Sequence, residues 1–207
     1  MTAPILLVRH GETEANAARI VQHPDARLSA AGRQQAERLA VRVAECGIAH
    51  ILCSDMARAL ETAAPIAART GLPITTNPLL RERDFGDLRG TPYTELRVDP
   101  FAMDYAPPNG ETWADFHERV GRAWTLVSEF AGRVSGSLLV VTHGLVCHAL
   151  VERHLRLEDG AVAPERWHNT ALTWIDPAPP WKIQRLHCIQ HLQDDAMQKR
   201  GEDVGKV

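Results

Sequence analysis

The architecture of this chain is set near its start, by the segment Ile5-Leu6-Leu7-Val8-Arg9-His10-Gly11-Glu12-Thr13. Four apolar residues stand in a row before Arg9-His10, and Gly11 ends the run. A short apolar run closed by glycine is typical of a strand that is buried on both faces of a sheet. Residues 5–8 are therefore predicted to form a buried strand with polar side chains at its carboxyl end.

Two later segments repeat this pattern. Apolar runs at 50–53 and 138–141 are followed by Ser54-Asp55 and by Thr142-His143-Gly144. Each is predicted to be a buried strand that ends in polar residues. Two more strands are predicted further on, joined by a proline-rich turn, at 171–175 and 181–186.

Helical spacing fills the segments between the predicted strands. Apolar residues recur every three or four positions after Ser29, after Ser54-Asp55 and along residues 113–130. Ser29, and either Ser54 or Asp55, are expected to cap the first two of these helices. Strands that alternate with helices of this length imply a mostly parallel sheet covered on both faces. We therefore predict an α/β fold, a three-layer sandwich with a mostly parallel central sheet flanked by helices.

Composition narrows the class of protein. The chain has 207 residues, 44% of them hydrophobic, and its formal net charge is 23 − 26 = −3. This balance argues against binding nucleic acid or an anionic membrane through bulk charge. No apolar run approaches the roughly 18 residues of a membrane span, and the start lacks the basic region of a signal peptide. Four scattered cysteines suggest buried thiols in a reducing cytoplasm. We expect one domain over 1–192 and a polar tail at 193–207.

Arginine and histidine side chains follow three of the predicted strands. Arg9 and His10 come after the first, Arg58 begins the helix after the second, and His143 comes after the third. Ligands of such sheets bind beyond the carboxyl ends of the strands, so these four side chains are expected to meet. Guanidinium groups match phosphate oxygens, and helix starts offer free N–H donors to an anion. The residues predict a pocket for phosphate in which one histidine attacks phosphorus and the other steadies its oxygens.

Several motifs together resemble the histidine phosphatase superfamily, in its phosphoglycerate-mutase-like branch. The segment Arg9-His10-Gly11-Glu12-Thr13 with Asn16 looks like the family signature. Further matches follow in family order at Leu28–Gly32, Ser54–Ala59, Leu80–Gly86, Pro108–Thr112 and Thr142–Gly144. A single tripeptide would be a weak match, whereas ordered matches from residue 9 to residue 144 are specific.

The resemblance implies a function for each matched residue. His10 would be the nucleophile that becomes a phosphohistidine, and Arg9, Arg58 and His143 would complete the phosphate pocket. Glu82 would give a proton to the leaving oxygen and later activate water, and Asn16 would donate to a phosphate oxygen. No metal or other cofactor is implied. Simpler interpretations stay open: Arg58 as half of a salt bridge, Glu82 as a solvated carboxylate, and Asn16 as a helix cap.

The resemblance does not decide between two reactions of the phosphohistidine, which are hydrolysis by water and return of the phosphoryl group to the bound product. Residues 87–110 are predicted to cover the substrate, and they are fewer than in typical mutases of this branch, which favours a phosphatase of small phosphate monoesters. A bisphosphate-primed phosphoglycerate mutase is the alternative, and a catalytically weak relative that binds a phosphorylated ligand or a protein is another. Whether Gln22, Arg89 or Arg97 contacts substrate stays undecided. An exposed strand edge would allow a homodimer.

Overall fold

The computed structural model describes residues 3–193, with a six-stranded sheet at its centre. The sheet has the strand order β3-β2-β4-β1-β5-β6, where the strands are β1 (Ile5–Arg9), β2 (Ile48–Cys53), β3 (Ile74–Thr76), β4 (Ser137–Thr142), β5 (Leu172–Ile175) and β6 (Ile183–Cys188). The pairs β3-β2, β2-β4 and β4-β1 are parallel, whereas β5 runs antiparallel to both of its neighbours. The predicted mostly parallel sheet is confirmed.

Helices cover both faces of this sheet. Within residues 3–193 they are α1 (Glu14–Ala17), α2 (Ala30–Ala44), α3 (Ala57–Thr70), α4 (Trp113–Ala131) and α5 (Gly144–Arg153). Successive side chains of a strand point to opposite faces, and β1 shows the result. Leu6 and Val8 pack with α2 and α3, whereas Ile5 and Leu7 pack with α4 and α5. The three-layer sandwich is therefore confirmed.

Two local predictions need correction. Neither Ser54 nor Asp55 is the N-cap of α3, which begins after Met56 without a side-chain cap. Both side chains contact other segments instead. Ser54 Oγ lies 2.8 Å from His143 Nε2, and Asp55 pairs with Arg81. The short strand β3 was not predicted, since it is only three residues long and follows Pro73.

Three further predictions concern the polar tail, the segment that covers the substrate, and the absence of a membrane span. The polar tail predicted at 193–207 lies outside the described residues, apart from Gln193. Residues 87–110 form an irregular segment that contains a short 3-10 helix at Tyr93–Glu95, and another, Gly86–Leu88, spans its start. Among residues 3–193, no helix has the length and apolar character needed to cross a membrane.

The start of α2 is fixed against the loop that follows β1. Ser29 caps α2 by accepting from Gly32 N, and its hydroxyl also donates to Glu12 Oε1 at 2.9 Å. Ser29 N donates to the Glu12 carbonyl at 2.8 Å. A Cβ on Gly32 would lie 1.9 Å from that same carbonyl oxygen, so this position has no room for a side chain.

We predict that Gly32→Ala lowers the free energy of unfolding by roughly 1–3 kcal/mol, because the loop after β1 must move to admit the methyl group. Urea unfolding followed by circular dichroism measures the loss. Gly132→Ala is the matched control, since a Cβ there has no neighbour closer than 3.6 Å. Equal unfolding midpoints for the two variants would contradict the close approach of α2 to the loop.

Candidate active site

The sheet brings the predicted site residues together at one edge. Strands β1, β2 and β4 are adjacent and parallel, so their carboxyl ends lie side by side. His10 follows β1, His143 follows β4, and Arg58 lies in the first turn of α3 after β2. The His10 and His143 rings lie 5.1 Å apart, centroid to centroid. All three side chains are buried.

The His10 ring has one nitrogen tied to the backbone and the other facing a cation. Nδ1 lies 2.6 Å from the Gly11 carbonyl oxygen, and Nε2 accepts from Arg58 Nε at 3.3 Å. The neutral ring with its proton on Nδ1 satisfies both contacts. Burial, followed by the charges of Arg58 and Arg9, holds the pKa of His10 well below its ordinary value. Nε2 therefore keeps a lone pair at neutral pH, which is what a nucleophile needs.

His143 is the second buried imidazole, and it stands at the start of α5. Its Nε2 lies 2.8 Å from Ser54 Oγ, which places the ring between the ends of β4 and β2. Within residues 3–193 its buried Nδ1 has no hydrogen-bond partner. Burial and the nearby Arg58 hold the pKa of His143 well below its ordinary value, so this ring is also neutral at pH 7.

Backbone carbonyls hold the two arginines in place. Arg58 Nη1 donates to the His23 carbonyl at 3.2 Å, and Arg9 Nη1 donates to the Trp167 carbonyl. Burial lowers the pKa of Arg58 to about 10, which leaves it charged at neutral pH. Arg58 therefore contacts carbonyls and His10 rather than forming the salt bridge that was the simpler interpretation.

Glu82 lies beside this cluster, although it comes from the irregular chain between β3 and α4. Its Oε2 accepts from Leu145 N at the start of α5 at 3.2 Å, and its Oε1 accepts from Arg83 N at 3.0 Å. Burial raises the pKa of Glu82 above its ordinary value, while those two N–H donors, Arg58 and Arg9 act in the opposite direction. Glu82 is therefore not the solvated surface carboxylate of the simpler interpretation.

Asn16 takes part in capping a helix, as in the simpler interpretation, and also lines the cleft. Thr13 and Asn16 form a capping box at α1, in which Asn16 Oδ1 accepts from Thr13 N. The same oxygen accepts from Asn169 Nδ2 at 3.3 Å. Both contacts use the acceptor atom of Asn16, so its amide hydrogens are still able to donate to a ligand.

The sequence analysis missed the segment before β5, residues 166–170. Asn169 Nδ2 donates to the His10 carbonyl at 3.0 Å, and Thr170 N donates to the Arg9 carbonyl at 3.0 Å. With the Trp167 carbonyl on Arg9, this segment supports both residues of the first motif. Because β5 is antiparallel, its start lies at the edge where the parallel strands end. An Asn-Thr pair before a strand was the available signal, but the direction of β5 was not readable from the sequence.

The residues left undecided by the sequence now have definite surroundings. The cluster opens into a cleft of about 1350 Å³, whose wall includes Gln22 and Arg89. Gln22 Oε1 accepts from the Thr13 hydroxyl at 2.8 Å, and Arg89 is bonded to the Asp84 carboxylate. Arg97 is not among the described residues that line the cleft.

The two buried histidines predict how stability depends on pH. Their folded pKa values lie below those of the unfolded chain, so below about pH 6.5 only the unfolded state takes up these protons. Each histidine then removes about 1.4 kcal/mol of unfolding free energy per pH unit as the pH falls. Glu82, whose pKa is raised on folding, has the opposite effect. It lowers the unfolding free energy as the pH rises above the pKa that Glu82 has in the unfolded chain.

We expect His10→Asn to reduce the slope of unfolding free energy against pH by about 1.4 kcal/mol per unit between about pH 6 and pH 5, since one proton uptake is lost. Urea titrations at several pH values provide the slopes. The difference between the two proteins isolates His10 from the other histidines. Parallel slopes for wild type and variant would show that His10 titrates normally in the folded state.

Comparison with known proteins shows the family to which the chain belongs. The family model of the histidine phosphatase superfamily (branch 1) matches residues 5–187, and the chain belongs to this family. It is 35% identical to phosphoglycerate mutase-like protein 4 of Arabidopsis thaliana, over 96% of this chain and 91% of that protein.

Two solved structures share the fold. Bacillus stearothermophilus YhfR has 29% identity, a TM-score of 0.76, and coverage of 92% of this chain and 99% of its own. A mycobacterial glucosyl-3-phosphoglycerate phosphatase solved with VO3 has 26% identity, a TM-score of 0.72, and coverage of 84% and 91%.

Proposed function

We propose that this protein is a phosphatase that hydrolyses small-molecule phosphate monoesters through a phosphohistidine on His10. The observation that carries the proposal is the state of the His10 ring. Its Nδ1 is occupied by the Gly11 carbonyl, while its Nε2 lies beside Arg58 and the ring lies 5.1 Å from His143. A neutral nucleophile held beside fixed cations is suited to attack on a phosphate dianion.

In the first step, His10 Nε2 attacks phosphorus and the bond from phosphorus to the ester oxygen breaks. Glu82 gives its proton to that oxygen, so the product is an alcohol rather than an alkoxide. Burial raises the pKa of Glu82, which favours the protonated form that this step requires. Arg9 and Arg58 neutralise the dianion, and the buried Nδ1 of His143 and Nε of Arg9 are polar atoms that phosphate oxygens would satisfy.

In the second step, a water molecule attacks the phosphorus of the phosphohistidine through its oxygen. The Glu82 carboxylate takes a proton from that water as the new bond forms. The bond from phosphorus to Nε2 breaks, phosphate leaves, and both His10 and Glu82 return to their starting states. Asn16 Nδ2 donates to a phosphate oxygen while Oδ1 keeps its capping contact. The proposed cycle uses no metal, so EDTA should leave it unchanged.

Hydrolysis is favoured over mutase activity by the large cleft that Arg9, Arg58 and Glu82 line. Its volume of about 1350 Å³ exceeds that of a typical small-molecule pocket, which is about 300–1000 Å³. An open site admits water to the phosphohistidine and does not retain the dephosphorylated product for phosphoryl return. A mutase would instead interconvert 2- and 3-phosphoglycerate, and only after priming by a bisphosphate.

The state of the cysteines supports a further part of the proposal, which concerns the cellular location. All four cysteines, Cys46, Cys53, Cys147 and Cys188, are free thiols. Free thiols are typical of proteins kept in reducing conditions. We infer that the enzyme acts on cytoplasmic phosphate esters.

Replacing the nucleophile tests the covalent route. We expect His10→Asn to lower kcat by at least about a thousandfold, because the variant lacks the imidazole nitrogen that forms the bond to phosphorus. Phosphate release from a panel of monoesters, with EDTA present, measures the loss. Quenching at alkaline pH and intact mass measurement should find one phosphoryl group on the wild type and none on the variant. Equal release by both proteins would rule out a phosphohistidine on His10.

Replacing the proton donor tests the leaving-group step. We expect Glu82→Gln to lower kcat/KM by about a hundredfold or more for alkyl phosphates, because an alkoxide leaves poorly without a proton. For p-nitrophenyl phosphate the loss should stay below about tenfold, since a nitrophenolate leaves without one. Equal losses for both substrates would remove Glu82 from proton transfer to the leaving group.

A further inference from the structure

A phosphate group bound beside Arg9 and Arg58 would contact only a small part of the cleft surface. Beyond Arg9, Arg58 and Glu82, its lining continues along the cover, defined as residues 87–110, and along the facing sides of α4 and α5. The leaving alcohol of a substrate whose phosphate lies at His10 must occupy this outer part. The chemistry of the cover therefore selects the alcohol.

The cover presents apolar side chains to the cleft. Val98, Phe101 and Met103 are 45%, 43% and 62% exposed, and all three line the cleft. Among residues 3–193 they are three of the five large apolar residues with substantial exposure. Clustered exposed apolar side chains mark a binding groove more often than a bare surface.

The apolar surface is held in position. The Phe101 ring packs between Phe85 and Tyr93, at centroid distances of 5.9 and 5.8 Å. Trp113 Nε1 donates to the Ala102 carbonyl at 2.8 Å, which fixes the chain between Phe101 and Met103. A preformed surface binds its ligand without the entropic cost of ordering a loop.

Two of the arginines that line the cleft are paired with carboxylates. Arg89 is bonded to Asp84, and Arg119 is bonded to Glu111 at 2.7 Å. Arg97, the other arginine of the cover, does not line the cleft, so neither arginine of the cover is placed to bind a carboxylate or a second phosphate on the leaving group. Arg19 and Arg166 also line the cleft, and the Arg19 carbonyl accepts from Tyr93 N at 2.9 Å, so these two arginines would have to supply that contact.

From these observations we propose that the natural substrates are phosphate monoesters of apolar alcohols, aromatic or long alkyl, and that Val98, Phe101 and Met103 bind the alcohol. This inference rests on the proposed function. It assigns the leaving group, which the phosphate pocket itself does not determine.

Alkyl phosphates of growing chain length test the assignment, because their leaving groups have nearly equal acidity. We expect kcat/KM to rise at least about tenfold from ethyl to hexyl phosphate, since each buried methylene adds to binding. Met103→Gln, which keeps the length of the side chain, and Phe101→Ala should each lower kcat/KM for hexyl phosphate much more than for ethyl phosphate, and so remove most of this rise. Val41→Ala is the control, because Val41 is 58% exposed on α2 and is not a cleft residue.

Binding of alkyl phosphonates, which are not hydrolysed, separates this inference from the proposed function. Calorimetry should show hexylphosphonate binding at least about tenfold more tightly than ethylphosphonate, with the difference reduced in Met103→Gln. This result would support the apolar site even if no ester were turned over. Equal affinities along the series would overturn it. So would a marked preference for 3-phosphoglycerate that is lost in Arg19→Gln or Arg166→Gln.

Discussion

Two guanidinium groups and two imidazole rings are packed together at the carboxyl edge of the sheet, with a single carboxylate beside them. Burying positive charge is costly unless dipoles or counter-charges stabilise it. The structure meets this cost with backbone carbonyls from distant segments, His23 for Arg58 and Trp167 for Arg9. Burial, together with the same positive charge, holds the pKa of both histidines well below the ordinary value. These contacts tie the segments that carry His23 and Trp167 to the arginines of the site.

Arg83 extends this arrangement to the cover. It is the residue after Glu82, and its buried guanidinium donates to the carbonyls of Pro100, Tyr105 and Glu111 at 2.8–3.0 Å. The same group lies 4.0 Å from the centroid of the Trp113 ring. The segment that carries the proposed proton donor and the segment that faces the leaving group are thus fixed to each other.

Several features of the fold were predictable because their signals are local. The apolar runs before His10 and His143 are buried on both faces of the sheet, so they contain almost no polar residue. Ser29 caps α2 as predicted, because a hydroxyl before a helical repeat has few better partners. Ser54 shows the limit of this reasoning, since its hydroxyl lies against His143, 89 residues away. A local rule gives no information about such a partner.

The sequence by itself determined that the chain is an α/β protein and that Arg9, His10, Arg58 and His143 follow strand ends, because strand and helix periodicities and the order of motifs are written along the chain. The tertiary structure alone decided which nitrogen of His10 is available, why Glu82 lies at the site, and that residues 166–170 support Arg9 and His10. It also decided that Arg89 is neutralised by Asp84 while Phe101 and Met103 face the cleft. These properties depend on distances between segments that are far apart in the chain, and such distances are fixed only when the layers pack.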